Sequence, residues 1–409
     1  MNTVINDKIK ELFEGTPNNI SVAFGKKTVN GELTGELSFM FMVPEKLPLN
    51  QIPENEILPS TVIVDGETYK TDVVEVGEIK LISCDSNTTN NCYAWQTIAP
   101  GNQGTVRPIK GGLQISSYNN SPEYPTTITV GTLGFIAQDS ETSALVGVSN
   151  NHVLVKNAFY TDERNLFHET VENETDDTVY QNGTSHLTAG EIGKVLRYVP
   201  LSKSESNQVD AALVALYSNV VSNSQSYLQY GLSISSPMEF ATTEEIDNAL
   251  VGDYPLASSG RSTGAKMGSP CGLIVNALGA TTYVGPFHDN GTEESPLFDN
   301  LISFTRENPD CTYPIYPGDS GSGLLADIDG TWKIIGLCFA GGNNVGFACR
   351  IDQVAEQLGI QAWDGTSKPF IDVDSIQIKA VLGNSGEKTL DCDGITYWQI
   401  GSDNNTNFC

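Results

Sequence analysis

Residues 317–323 read Pro-Gly-Asp-Ser-Gly-Ser-Gly and lead directly into an apolar run beginning Leu324-Leu-Ala. A serine hydroxyl is a weak nucleophile near neutral pH and attacks a carbonyl only when an adjacent base accepts its proton. The oxyanion formed by that attack needs backbone N–H donors aimed at it. Gly318 can turn its N–H inward with no Cβ in the way, and Gly321 relieves crowding just behind Ser320. The heptapeptide therefore requires a base and an orienting carboxylate elsewhere in the chain. It also requires a partner for Asp319, whose side chain would be buried beside the loop.

The chain has only four histidines. His152 follows Ala144-Leu-Val-Gly-Val-Ser-Asn-Asn and precedes Val-Leu-Val, a strand, a polar turn and a second apolar stretch. That setting places an imidazole at the rim of a barrel. Asp210 opens the apolar strand of Val209-Asp-Ala-Ala-Leu-Val-Ala-Leu216. A carboxylate at such an edge can accept the Nδ1–H of a histidine, fix its tautomer and stabilise the imidazolium. The order His152, Asp210, Ser320 is the chymotrypsin order among the unrelated solutions to this geometry. An α/β-hydrolase needs its histidine after the serine; here even His288 precedes Ser320, so that fold is excluded. Singly, the three residues read as a surface turn, a structural histidine and a strand cap, but together and in this order they read as a triad.

Several segments resemble the trypsin-like (chymotrypsin-fold) serine peptidases, particularly bacterial and phage-type members with an extra N-terminal unit. They are Gly131-Thr-Leu-Gly-Phe-Ile, Val148-Ser-Asn-Asn-His-Val-Leu, Ile192-Gly-Lys-Val-Leu, Val209-Asp-Ala-Ala-Leu, Gly260-Arg-Ser-Thr-Gly, Gly318-Asp-Ser-Gly-Ser-Gly and Gly336-Leu-Cys-Phe-Ala-Gly-Gly. The resemblance implies two six-stranded antiparallel β-barrels with the site in the cleft between them. It also implies that His152 acts as base then acid, that Asp210 orients it, and that Ser320 is the acylated nucleophile. The N–H groups of Gly318 and Ser320 would form the oxyanion hole. Phe339, Ala340 and Gly341 would line one wall of the substrate pocket, with Gly346 opposite. The segment Cys311-Thr-Tyr-Pro-Ile-Tyr-Pro317 has no acid at the pocket base, so Arg/Lys specificity is not supported. No Ile-Val-Gly-Gly-type new N-terminus exists to pair with Asp319, so that carboxylate must be held by another partner.

The elements that must position these groups are mainly β. Long alternating strands recur, separated by turns supplied by 39 glycines and 19 prolines. The 409 residues suggest two or three units. Residues 1–83 read as a small α/β unit, 84–110 as a linker, 111–362 as the peptidase-like domain and 363–409 as a C-terminal extension. Within the first barrel, 157–187 reads as an acidic surface loop, with His168 and His186 as bystanders. Thr242 or Thr243 caps a short helix between the barrels. Asp327-Ile-Asp-Gly330 echoes a calcium loop but reads better as the Asp-Gly turn of a hairpin.

A net charge of −28, from 22 Lys and Arg against 50 Asp and Glu, argues against nucleic acid as a partner, because phosphates would be repelled. No apolar run is long enough to span a bilayer. The N-terminal segment reads as an amphipathic helix without the apolar core of a secretory signal. The expectation is a protein that works where it is made or leaves by another route such as lysis, as a phage product would. The eight cysteines fall into near pairs (84/92, 338/349, 392/409, with 271/311 remaining) that fit disulfides or buried thiols equally. The residues call for no metal and no cofactor, and oligomeric state is not legible. The function expected is a serine endopeptidase acting on a protein or peptide. The alternative is an idle or autoinhibited binding protein on the same fold.

Overall fold

The computed structural model describes residues 3–17, 20–29, 32–82, 84–85, 100–121, 124–155, 159–160, 178–181, 190–268, 272–289, 292–308, 311, 313–373, 379–384, 388–392 and 395–400. His168, His186, most of the acidic loop and Cys92 lie outside these residues. The described residues are mainly β and form two large sheets, of 13 and 12 strands, each carrying one barrel.

The first barrel is built from β7 (Gln114–Ser121), β8 (Tyr124–Thr132), β9 (Phe135–Asp139) and β10 (Leu145–Ser149), together with strands Thr178–Gln181, Gly190–Tyr198 and Ala212–Leu216. Strand Ala212–Leu216 shows why a continuous apolar run is needed here. Ala212, Val214 and Leu216 point into one apolar cluster with Leu133, Val153 and Trp363, while Leu213 and Ala215 point into a second. Both faces are covered, as the period of two in a strand dictates. Each fully buried Leu or Val contributes roughly 1.5–3 kcal/mol.

The second barrel closes on itself. Strand Leu256–Gly260 pairs with Gly323–Ile328, which leads through Thr331–Gly341, Gly346–Arg350, Leu297–Arg306 and Leu273–Tyr283 back to Leu256–Gly260 at Leu256↔Leu273. The Asp327–Gly330 segment is the expected hairpin turn: Asp329 and Gly330 have φ of 52° and 83°, and Ile328 pairs with Thr331. Thr242 caps its helix with a complete capping box to Glu245.

The described strands of the N-terminal region share a sheet with the second barrel. β1 (Ser21–Val29) pairs antiparallel both with β2 (Glu32–Val43) and with Leu273–Tyr283 of the second barrel. β3 (Thr61–Val64) and β4 (Glu67–Glu75) extend the same sheet beyond β2. Ile5 and Ile9 of the N-terminal helix Thr3–Glu14 are buried in the shared core. The region read as a linker begins with β6 (Cys84–Asp85), a short strand paired to β8, and includes a helical turn at Pro100–Gln103.

Cys338 and Cys349 are buried free thiols, so the disulfide reading of that pair does not hold. They sit on adjacent strands in diagonal register, Cys338 opposite Ala348 and Cys349 opposite Leu337. Cys311 is disulfide-bonded.

Candidate active site

Three loops at the barrel ends bring His152, Asp210 and Ser320 together. The strand β10 is buried along its whole length and ends in Ser149, whose hydroxyl donates to the Thr132 carbonyl at 2.7 Å. The next two residues tie the turn across the barrel. The Asn150 amide donates to the Asp210 carbonyl and the Asn151 amide to the Val199 carbonyl, each at 2.7 Å. The helical turn Asn151–Leu154 then presents His152. These asparagines were visible only as part of a motif; their work is to fix the height of the histidine loop against the aspartate.

Asp210 is fully buried, and its two oxygens face His152. Oδ2 lies 2.5 Å from Nδ1, and Oδ1 accepts the backbone N–H of His152 at 3.2 Å. The Asp210 N–H donates to the sulfur of Cys349 at 3.3 Å, so a residue of the second barrel supports a loop of the first. On the other side of the ring, His152 Nε2 lies 2.8 Å from Ser320 Oγ. The Ser320 hydroxyl is also within 3.3 Å of the Phe339 carbonyl. Phe287 stands edge-on to the imidazole, with ring centres 6.0 Å apart, and Phe298 and Phe339 continue the aromatic wall. This wall excludes water from one side of the ring and strengthens the polar contacts.

The serine loop is held from beneath by Asp319. Its Oδ1 accepts the N–H groups of Ser262 at 2.9 Å and Thr263 at 3.1 Å; its Oδ2 accepts the Thr263 hydroxyl at 2.6 Å and the Tyr316 N–H at 3.0 Å. The partner that the missing N-terminus left open is therefore the segment Gly260-Arg-Ser-Thr-Gly264. Gly260 permits the approach, since a Cβ there would stand 2.3 Å from Asp319 Oδ1. Gly318 and Gly321 have φ of 100° and 89°, which only glycine adopts without strain. Thr132 closes the loop from the first barrel, with its N–H on the Ser320 carbonyl and its hydroxyl on the Gly318 carbonyl.

The four residues expected to form the pocket lie on two paired strands. The Phe339 carbonyl faces the serine, and Ala340 and Gly341 pair on one side with Phe347 and Gly346 and on the other with Leu81 and Lys80. A Cβ on Gly341 would meet Ile315 Cγ2 at 2.6 Å, so glycine is needed for the space beside Ile315. Gly346 stands opposite Gly341 on the paired strand and packs against the Phe304 ring, where a Cβ would come within 2.3 Å.

No protein-family model and no curated protein matches the chain. Similar solved structures include a glutamic acid specific serine protease, at 13% identity and a TM-score of 0.37, covering 62% of this chain and 100% of that one. Cellulomonas bogoriensis chymotrypsin is similar at 15% identity and a TM-score of 0.35, over 63% of this chain and 98% of that one. The HtrA-type protease AlgW with a decapeptide is similar at 14% identity and a TM-score of 0.30, over 66% of each chain.

Proposed function

We propose that the chain is a serine endopeptidase in which His152, Asp210 and Ser320 act as a catalytic triad. The observation that carries this reading is the unbroken relay from Asp210 Oδ2 through both nitrogens of His152 to Ser320 Oγ, at 2.5 and 2.8 Å. Ser320 Oγ attacks the scissile carbonyl carbon while its proton passes to His152 Nε2. Asp210 stabilises the imidazolium through Nδ1–H. The N–H groups of Gly318 and Ser320 receive the oxyanion, each such donor contributing about 10²–10³-fold to the rate. His152 then protonates the leaving amine, and water repeats the sequence to release the acid. No metal or cofactor takes part in these steps.

Labelling with a fluorophosphonate probe tests the reading. Adduct at Ser320 in the native chain, lost in Ser320→Ala and His152→Ala, is the expected result. Absence of labelling in the native chain and in variants with an emptied cleft would sink it and leave a binding protein on a protease scaffold.

A further inference from the structure

The cleft beside Ser320 holds a segment of the chain itself. β5 (Lys80–Leu81) pairs antiparallel with the end of Thr331–Gly341, Leu81 opposite Ala340 and Lys80 opposite Gly341. The next residue, Ile82, donates its N–H to the Phe339 carbonyl at 3.2 Å. Its own carbonyl accepts the N–H of Gly318, the donor assigned above to the oxyanion. Its side chain is buried beside Gly341: Ile82 Cγ2 would be 3.7 Å from a Cβ placed there, in the space shared with Ile315. Beyond residue 83, β6 pairs antiparallel with β8 of the first barrel, Cys84 opposite Val130 and Asp85 opposite Thr129. Residues 80–82 thus lie against a strand of one barrel, and residues 84–85 against a strand of the other.

An extended peptide added to a sheet edge, with one carbonyl on the oxyanion donor and the preceding contacts on the acyl side, is bound as a substrate. We infer that the enzyme's own segment Lys80–Ile82 lies in its cleft as a substrate, and that the peptide bond on the carboxyl side of Ile82 is the one it cuts; this rests on the peptidase reading above. Ser320 Oγ adds to the Ile82 carbonyl carbon and its proton moves to His152. The C–N bond to Ser83 breaks, and that proton leaves on the new amino terminus. Water, deprotonated by His152, then hydrolyses the Ile82 ester to a carboxylate and restores the serine. The apolar surroundings of Ile82 make this an aliphatic cleavage site.

The test uses the freshly purified full chain, followed by intact-mass measurement and N-terminal sequencing over time. The expected result is a new chain beginning at Ser83, absent in Ser320→Ala, formed at a rate independent of protein concentration. Ile82→Asp should slow the cut by about 100-fold or more, since a charge replaces an aliphatic group in the pocket. Ile82→Pro, which removes the N–H bonded to Phe339, and Ile82→Asp are both labelled in parallel with the fluorophosphonate probe. A native chain that stays intact or is cut elsewhere, while either variant labels at Ser320, overturns the cleavage site and leaves the peptidase standing. A rate that rises with protein concentration overturns cleavage within one molecule. Failure of every form to label overturns the peptidase reading together with the inference.

Discussion

Asp210 grips His152 at two points, with one carboxylate oxygen on ring Nδ1 at 2.5 Å and the other on the backbone N–H at 3.2 Å. An asparagine in its place can keep only one acceptor oxygen and must turn an NH₂ group toward either the ring or the amide. Asp210→Asn should therefore leave the fold intact and lower turnover about 10⁴-fold, by forcing the wrong imidazole tautomer. Steady-state kinetics on a cleaved peptide, set beside the thermal midpoint, checks this. An unchanged turnover would remove Asp210 from the mechanism.

Asp319 carries four donors, so its loss differs in kind from loss of one of them. Asp319→Ala strands the N–H groups of Ser262, Thr263 and Tyr316 and the Thr263 hydroxyl, and each orphaned buried group costs about 1–3 kcal/mol. The expected cost is about 4 kcal/mol in urea unfolding, with loss of probe labelling. Thr263→Val removes one contact and should cost about 1 kcal/mol with labelling largely retained.

Burial pushes the Cys338 thiol up to about 12 and the Cys349 thiol well above its ordinary value, the latter also raised by the neighbouring Asp210 charge. Both stay protonated in the folded chain, while the unfolded chain ionises near 9. The sign follows: their contribution to stability is full below about pH 9 and is lost as pH climbs from there toward 12. Denaturant unfolding at pH 7.5 and 10.5 should show a drop that Cys338→Ala reduces. Iodoacetamide at pH 8 should modify neither thiol until the protein unfolds.

The space beside Ile315 exists because residue 341 lacks a Cβ. Peptides with an aliphatic residue on the acyl side of the scissile bond should be preferred over those with Arg or Glu there. Gly341→Val should cut kcat/KM for an isoleucine peptide by about 10–100-fold and affect an alanine peptide less. Equal losses on both would mean that the pocket lies elsewhere.

The three residues of the proposed triad stand out in the sequence because they sit in strongly patterned surroundings. Continuous apolar runs flank His152 and Asp210, and glycines flank Ser320 on both sides. The double barrel and the Asp329-Gly330 turn were legible for the same reason. Asp319's partners were not, because Ser262 and Thr263 lie 57 and 56 residues away and act partly through backbone N–H groups, which every residue type possesses. Nor was the occupant of the cleft. Ile79-Lys-Leu-Ile82 is a short apolar run like many others, and an edge-strand pairing is made by main chain whose partner no side-chain pattern names.

Asp319 finds all its donors within the folded chain, at Tyr316, Ser262 and Thr263. On the peptidase reading, such an enzyme is armed as soon as it folds, with no chemical safety catch in its serine loop. Until the bond after Ile82 is cut, its background activity is a matter of occupancy, set by how often the cleft stands empty. If opening costs about 4 kcal/mol, roughly one molecule in a thousand is exposed at any instant. Evolution could tune that leak through the edge pairing of Lys80–Leu81 alone, without touching a catalytic group.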